Sequence, residues 1–307
     1  MSYRYSIIIP HFNDIERLQR LLNSIPLNRL DIEVLVIDDC SPAEENLKNL
    51  KRIAPKIKWY STEKNSGAGR ARNIGLQYAA GKYLLFADSD DEFVENAFER
   101  IDAAVANKPD LCYFLADAVQ EADLSPSNRA EPYNRLCLNY LEARSVENLM
   151  ALKSWHVIPV AKVYNREFIR KTALSFDETM VSNDVAFNVL AAFEAKEVQV
   201  VPETVYRIYR RGGSLTADVS AEVFLTRLNV SAQLASRLKE RGISYRPSST
   251  GALLASIKYG PKVFFRVLKL ALTSDLKFDV FRAFNLKRWY RFLYRRYNTR
   301  KELKKNQ

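Results

Sequence analysis

The run Asp88-Ser89-Asp90-Asp91 follows the apolar stretch Tyr83–Ala87, so a buried strand here ends in a cluster of carboxylates. Like charges crowded at such a point repel one another unless a cation or a hydrogen-bonded ligand lies between them. A divalent metal bridging to a diphosphate meets that demand. The plainer alternative is a solvated acidic turn leading into a helix at Glu95. Three other segments carry polar residues of a complementary kind: Pro10-His11-Phe12-Asn13-Asp14, Asp38-Asp39-Cys40-Ser41, and Asn65-Ser66-Gly67-Ala68-Gly69-Arg70-Ala71-Arg72-Asn73. Each also reads as ordinary structure. Asn13-Asp14 suits a helix N-cap, and Asp38 through Pro42 suits a turn into a Pro-started helix. The Gly67–Asn73 loop cradles phosphate through backbone N–H groups, with Arg70 or Arg72 adding charge, or is a glycine loop and nothing more.

These four segments act together only if their strands end at one edge. The first 116 residues alternate short β-branched runs with segments of helical period, which argues a parallel sheet with crossover helices. Strands are expected at Tyr5–Ile9, Glu33–Ile37, Ile57–Tyr60, Tyr83–Ala87 and Leu111–Leu115. Ile15, Leu18, Leu21, Leu22 and Ile25 recur at three- and four-residue spacing, the stripe of a helix packed on a sheet. Further helices fit Glu44–Ile53, Ala68–Ala80 and Glu95–Ala106. In an open parallel sheet, ligands sit beyond the carboxyl ends of the strands, and all four segments fall there.

Residues 117–150 are polar and broken by Pro126 and Pro132, which predicts a surface excursion or acceptor-side insertion. Strand-like Val198–Val201 and Thr204–Tyr209 flank Pro202, and a helix over Ala221–Arg241 closes on Gly242. His11 and His156, the only histidines, lie too far apart in sequence to argue a metal site.

The first 116 residues resemble the donor-binding half of the family 2 glycosyltransferases. The matching residues are Ile7-Ile8-Ile9-Pro10 with Asn13, Val36-Ile37-Asp38-Asp39 with Ser41, Gly67 with Ala71-Arg72-Asn73, and Asp88-Ser89-Asp90. The resemblance implies a GT-A fold: a Rossmann-like, mostly parallel sheet flanked by helices. It implies a nucleotide-sugar donor, with UDP the family's usual nucleotide. The base would lie near Pro10, Phe12 and Asp39, with Arg70 or Arg72 close by. Asn13, Asp14, Gly67 and Ser89 belong to the same donor-site set. Asp88 would face the ribose, and Asp90 would ligate the Mn²⁺ or Mg²⁺ that holds the diphosphate.

A looser likeness continues through Lys162–Phe168, Phe176-Asp177-Glu178 and Ser182-Asn183-Asp184-Val185-Ala186-Phe187. Asp184 aligns with the family's catalytic base, and Asn183 stands where a glutamate is usual. An N-cap at Asp184 is compatible with that role. The stretch Tyr206–Thr216, containing Arg207, Arg210 and Arg211, resembles one that closes over donor phosphates, and it also reads as an exposed basic turn. Arg210 and Arg211 are placed on the acceptor side of the site with Asp91, His156 and Asn183. The resemblance implies inverting transfer of a hexose or N-acetylhexosamine to a saccharide hydroxyl, as in bacterial surface-polysaccharide or lipopolysaccharide synthesis.

The charge is uneven. The chain of 307 residues holds 47 Lys and Arg against 36 Asp and Glu, and residues 249–307 hold 15 against 3. The first 248 residues are therefore nearly neutral, and the tail needs a polyanionic partner or surface. In Val280–Tyr297, Arg288, Arg291 and Arg295 share a helical stripe while Phe281, Phe284, Trp289, Phe292 and Leu293 form an apolar side. With Val263 to Leu272 interrupted by Arg266 and Lys269, residues 253–297 are too charged to span a bilayer and suited to lie on an anionic one. A solvated basic face on packed helices is the alternative. Thr299–Gln307 is expected to fray.

The expected organisation is a donor half at 1–116, an acceptor and catalytic half of the same domain at 117–218, and a basic helical extension at 219–307. With no apolar leader and an odd, scattered set of cysteines (Cys40, Cys112, Cys137), the expected location is the cytoplasm, at the inner face of a membrane carrying a lipid-linked acceptor. A nucleotidyltransferase would also use paired aspartates and metal, but Pro10–Asn13 lacks its glycine-rich loop. A nucleic-acid-binding protein would explain the tail and leave the four convergent loops unexplained, so no nucleic acid partner is expected.

Overall fold

The computed structural model describes residues 3–42, 49–52, 56–211 and 220–279. Two compact units divide the chain, Met1–Ala217 and Asp218–Gln307. The first is built on an eight-stranded sheet.

Strands β1 (Tyr5–His11) and β2 (Ile32–Asp38) are buried at every residue, as expected of parallel strands covered on both faces. With β3 (Lys58–Ser61) and β4 (Tyr83–Phe86) they form the parallel set β3-β2-β1-β4. The order continues β7 (Lys162–Asn165), β6 (Leu111–Gln120), β8 (Val198–Arg210) and β5 (Glu92–Phe93). Here β7 runs antiparallel to both neighbours, β6 and β8 run parallel, and β5 is antiparallel to β8, so the sheet is mixed.

Helices α1 (Ile15–Asn23), α2 (Ala68–Tyr78) and α3 (Ala97–Val105) fall where the apolar spacing put them. On one sheet face Ile7, Ile9, Val34 and Val36 pack with Leu18, Leu21, Phe98 and Ile101. On the other, α2 comes so close that a Cβ at Gly75 would stand 2.3 Å from Ile8 Cγ2 and 3.1 Å from Ile37 Cδ1. Residues 49–52 are helical, and the rest of the expected Glu44–Ile53 helix lies outside the described residues.

Residues 117–150 differ from the expectation of a polar excursion. Strand β6 continues to Gln120, so residue 116 falls within a strand. Helices α4 (Glu131–Glu142) and α5 (Val146–Trp155) follow. Pro132 occupies the first turn of α4, where a missing N–H costs nothing because that donor has no intrahelical acceptor. Likewise the two segments around Pro202 are one strand. Pairing of β8 with β6 passes from Tyr113↔Val200 to Leu115↔Thr204, and this irregularity takes up the residue that cannot donate. Helices α6 (Arg166–Thr172) and α7 (Val185–Glu194) complete the unit.

In the second unit, α8 (Ala221–Glu240) ends at Gly242, whose φ of +69° makes the left-handed stop that glycine favours. Helices α9 (Thr250–Ser256) and α10 (Pro261–Thr273) follow. Leu228, Ala235, Leu253, Val267 and Leu276 form this unit's own core. Among the described residues no helix is long and apolar enough to cross a membrane. The amphipathic stretch Val280–Tyr297, the terminal Thr299–Gln307 and the turn residues Gly212–Thr216 lie outside the described residues.

One buried carboxylate fixes the amino-terminal edge of the parallel strands. Glu33, on β2, accepts from Lys58 Nζ at 2.6 Å, from Ser6 Oγ at 2.5 Å, and from the Ala80 and Gly81 N–H groups at 2.6 and 3.0 Å. Burial would raise its pKa, but Lys58, Ser6 and the Ala80 N–H outweigh it and hold the carboxyl below its ordinary value. Its contribution is therefore complete above the unfolded value, near pH 4.5, and is lost as pH falls through the lower folded value. Glu33→Gln should cost about 1–3 kcal/mol at neutral pH. Its denaturation midpoint should also fall less steeply than the wild type's below about pH 4.5.

Candidate active site

The carboxyl ends of β1, β2 and β4 and the start of α2 surround one cavity of about 320 Å³. Pro10, His11, Phe12 and Asp14 line it from the end of β1, and Asp39 from the end of β2. Asn13 takes a left-handed φ of +48°, a conformation asparagine tolerates, and its N–H donates to Ser41 Oγ at 2.7 Å. Ser41 in turn donates its N–H to Asp38 Oδ2 at 3.1 Å, so the first two loops are tied together. Asn13 works through its backbone and does not line the cavity.

Asp39 is 4% exposed and its carboxylate is already engaged. It accepts from the N–H groups of Ser66 (3.0 Å) and Gly67 (2.6 Å) and from Thr62 Oγ1 (2.7 Å). The aspartate thus shapes the glycine loop while bordering the cavity. Gly67 has φ +87°, which favours glycine. Two residues on, a Cβ at Gly69 would stand 2.0 Å from the Asp177 carbonyl oxygen, because the first turn of α2 presses on the 177–183 segment. Asn73 fastens the same segment, exchanging hydrogen bonds with Phe176 O (3.0 Å) and Phe176 N (2.8 Å).

Arg72 joins the two sides of the cavity. At 5% exposure, its Nη2 donates to Asp88 Oδ1 at 2.6 Å and its Nη1 to Asn183 Oδ1 at 2.9 Å, with the guanidinium over the Phe176 ring. Arg70 points elsewhere, to an exposed pair with Glu178 at 3.1 Å. Asp88, Ser89 and Asp90 line the cavity, and Asp91 does not. Its carboxylate is buried and accepts the Tyr209 N–H at 2.9 Å, tying the turn after β4 to β8. Burial, Asp90 and Asp88 together push Asp91 well above the usual carboxyl range. Asp90 is also raised, by burial and then by Asp88, while Arg211 works against the shift.

Arg211 lies 3.5 Å from Asp14 and 3.8 Å from Asp90, and Arg210 is exposed and does not line the cavity. Asp14 and Asp184 each precede a helix without capping it through the side chain. Asp14 pairs instead with Arg17. Sequence reasoning missed this flank. Arg17 and Arg20 both reach Glu121, and Arg20 stacks on Tyr209 at 3.7 Å and donates to the Asp90 carbonyl. Contacts between residues some 70 to 190 positions apart leave no local pattern to read.

Asp184 is one residue beyond Asn183, which lines the cavity, and is partly exposed. Burial raises its pKa, with Arg72 and Lys162 drawing it back down and Asp88 adding to the rise. His156 is 2% exposed between the rings of Tyr113 and Tyr133, away from the cavity lining. Its burial explains its place in the core.

A mixed α/β sheet with a cavity beyond its parallel strands, lined by carboxylates, two arginines and an exposed aromatic ring, is the arrangement in which open α/β folds hold ligands. The chain belongs to glycosyl transferase family 2, whose model matches residues 6–172, and it has the GT-A fold. It is 27% identical over 235 residues to a cholesterol galactosyltransferase of Borreliella burgdorferi, covering 71% of this chain and 63% of that protein. It is 26% identical over 214 residues to the poly(ribitol-phosphate) β-N-acetylglucosaminyltransferase TarS of Staphylococcus aureus, covering 66% of this chain and 35% of that one. The chain thus spans less than two thirds of either relative. A TarS crystal structure in complex with UDP-GlcNAc superimposes with a TM-score of 0.58 at 21% identity, over 76% of this chain and 66% of that one.

The packing at Gly69 gives a test. Gly69→Ala drives a Cβ into the Asp177 carbonyl and should lower stability by about 1–3 kcal/mol. Gly251, in α9, has nothing within 4 Å of its Cβ position, so Gly251→Ala should instead be neutral or stabilise by up to about 1 kcal/mol. Urea denaturation of the two variants checks the opposite signs.

Proposed function

We propose that the chain transfers a hexose or N-acetylhexosamine from a UDP-sugar to a hydroxyl of a saccharide acceptor, with inversion at the anomeric carbon. The observation that carries this reading is the single cavity in which Pro10, Phe12, Asp39, Gly67, Arg72, Asp88 and Asp90 converge, with Asn183 on its wall next to Asp184. The family supports the nucleotide-sugar donor. The UDP-GlcNAc complex of TarS supports UDP.

Phe12, 45% exposed, offers a ring face to the base. Asp88, fixed by Arg72, faces the ribose. Asp184 takes the proton of the acceptor hydroxyl, which attacks the anomeric carbon from the face opposite the nucleotide. Among the described residues no three His, Cys, Asp or Glu side chains group to hold a metal. Asp90 is the residue that would hold Mn²⁺ or Mg²⁺ when the donor is bound. Its raised pKa, from burial and the charge of Asp88, is the condition a nearby cation relieves, so the residues fit. When bound, such an ion neutralises charge on the departing diphosphate. A structural neighbour, a mannosyltransferase of Pyrobaculum calidifontis in complex with GDP-Man and Mn²⁺ (TM-score 0.51, 13% identity, 88% of this chain and 69% of that one), is in keeping with this.

The acceptor is read as lipid-linked, on the inner face of a membrane. Helix α10 supports this with an exposed stripe of Lys262, Phe265, Arg266, Lys269 and Leu272, the two apolar residues each 64% exposed. On vesicles containing anionic lipid, reversing Lys262, Arg266 and Lys269 to Glu should weaken binding about tenfold or more. No binding to anionic vesicles would remove the membrane reading, and equal binding to neutral and anionic vesicles would remove its dependence on these basic residues.

A thermal-shift series with UDP, GDP, CDP, dTDP and their sugars should give a metal-dependent rise in Tm with the uridine compounds, absent in Asp90→Ala. No shift with any nucleotide from a folded protein would sink the donor assignment. Asp184→Asn should keep that shift and lose about 10²- to 10⁴-fold in kcat. In the wild type, kcat/KM should fall on the acid side at a pH above the ordinary aspartate range, since burial raises Asp184.

A further inference from the structure

A lysine lies in the core behind Asp184. Lys162, on β7, is 2% exposed, yet among the described residues it makes no ion pair. Its Nζ donates to His156 O at 2.6 Å and Asn188 Oδ1 at 2.8 Å and lies 4.8 Å from the centre of the Tyr113 ring. Two carbonyl oxygens and an aromatic face all suit a cation that can only donate. Asn188, 1% exposed, also accepts from Tyr164 Oη at 2.7 Å. Its Nδ2 donates to the Asp184 carbonyl at 2.9 Å, alongside its own backbone N–H at 3.1 Å. The amide orientation is set by chemistry, since an ammonium cannot accept and a carbonyl cannot donate.

We propose that Lys162 is a positioning residue for the transfer reaction: through Asn188 it fixes the first turn of α7, and its charge helps keep Asp184 ionised. This rests on the reading of Asp184 as the base. A buried ammonium without a paired carboxylate is costly, and packing alone would be served as well by Met or Leu. A negative charge that acts on it is that of Asp184. Burial brings Lys162 down to about 7, and the charge of Asp184 works against that shift. The titratable neighbours of Lys162 are Cys137 on α4, Tyr113 on β6, His156 after α5, Tyr164 on β7 and Asp184 ahead of α7. Those of Asp184 are Arg72, Asp88, Lys162, Tyr133 and Tyr164. Cys137, pushed up to about 12, and His156, pushed well down by burial and Lys162, both stay neutral, so Lys162 supplies the positive charge on this side.

The test follows the Asp184 carboxyl by ¹³C NMR titration, its signal assigned by loss in Asp184→Asn. Lys162→Met removes the charge, and Lys162→Gln keeps N–H donors for the same two oxygens, so it carries the experiment if the Met variant does not fold. In either variant the Asp184 ionisation constant should fall about tenfold, one pH unit of midpoint. The acid limb of UDP release from UDP-galactose or UDP-GlcNAc should move up in step, with donor KM unchanged. An unmoved Asp184 midpoint in a folded variant overturns the proposal. A moved midpoint, with turnover unharmed in Asp184→Asn, supports the Lys162 coupling and removes Asp184 as the base.

Discussion

The guanidinium of Arg72 is buried, and a buried cation persists only where its charge is answered. Arg72 is answered through its two terminal nitrogens from opposite sides: Asp88 at the end of β4 supplies the charge, and Asn183 just before α7 supplies a neutral acceptor, while Nε is left without a partner among the described residues. Much else in the first unit follows from keeping this bridge. Helix α2 must lie close enough to deliver Arg72, which requires that no side chain intervene at Gly75 against Ile8 or at Gly69 against Asp177. The segment that ends in Asn183 must also be held, and Asn73 holds it from the same helix. One helix face therefore sets the distance between the carboxylates beyond β4 and the start of α7.

The neutrality of Asn183 has an electrostatic consequence. An acid at that position would divide the field of Arg72 between two carboxylates. With an amide there, only Asp88 opposes it directly, and the remainder of the field reaches Asp184, whose raised pKa Arg72 draws down. On the other side Lys162 acts in the same sense. Asp184 thus sits between burial, which favours its protonated form, and two cations from separate elements, which favour the anion. The first turn of α7 is accordingly a place where small changes in surrounding charge alter ionisation.

The four loops and the strands that carry them were legible because their signal is local: an apolar run of four to seven residues followed at once by polar ones. What lay outside that pattern was read less well. The continuation of β6 past Leu115 alternates buried Ala116 and Ala118 with half-exposed Asp117, a period of two carried by residues too small to register as apolar. Pro132 looked like a breaker because its position in the first helical turn depends on where α4 begins. Asp39 was legible as a site residue, but its engagement with Ser66, Gly67 and Thr62 depends on a turn made some 25 residues later. Asp91 and His156, expected on the acceptor side or, for His156, in a structural role, are both buried and do not line this cavity.

The acidic cluster is stable for reasons distributed across the fold. Asp91 is removed from the cavity and satisfied by a β8 N–H, and its raised pKa lessens its charge beside its neighbours. Asp88 is answered by a buried, rigidly held arginine. Asp14 and Asp90 have Arg211 at 3.5 and 3.8 Å, with the Arg211 side chain 43% exposed, and pairs so long and open contribute little. Behind them, Arg17 is shared between Asp14 and Glu121, and Arg20 reaches Glu121. The charge around the cavity is thus settled at Asp88 and left incompletely answered at Asp90. A folded chain bears that imbalance because burial and the charge of Asp88 push the carboxylate toward its protonated form. Among the described residues Asp90 is thus the carboxylate of the group held by the weakest ion pair.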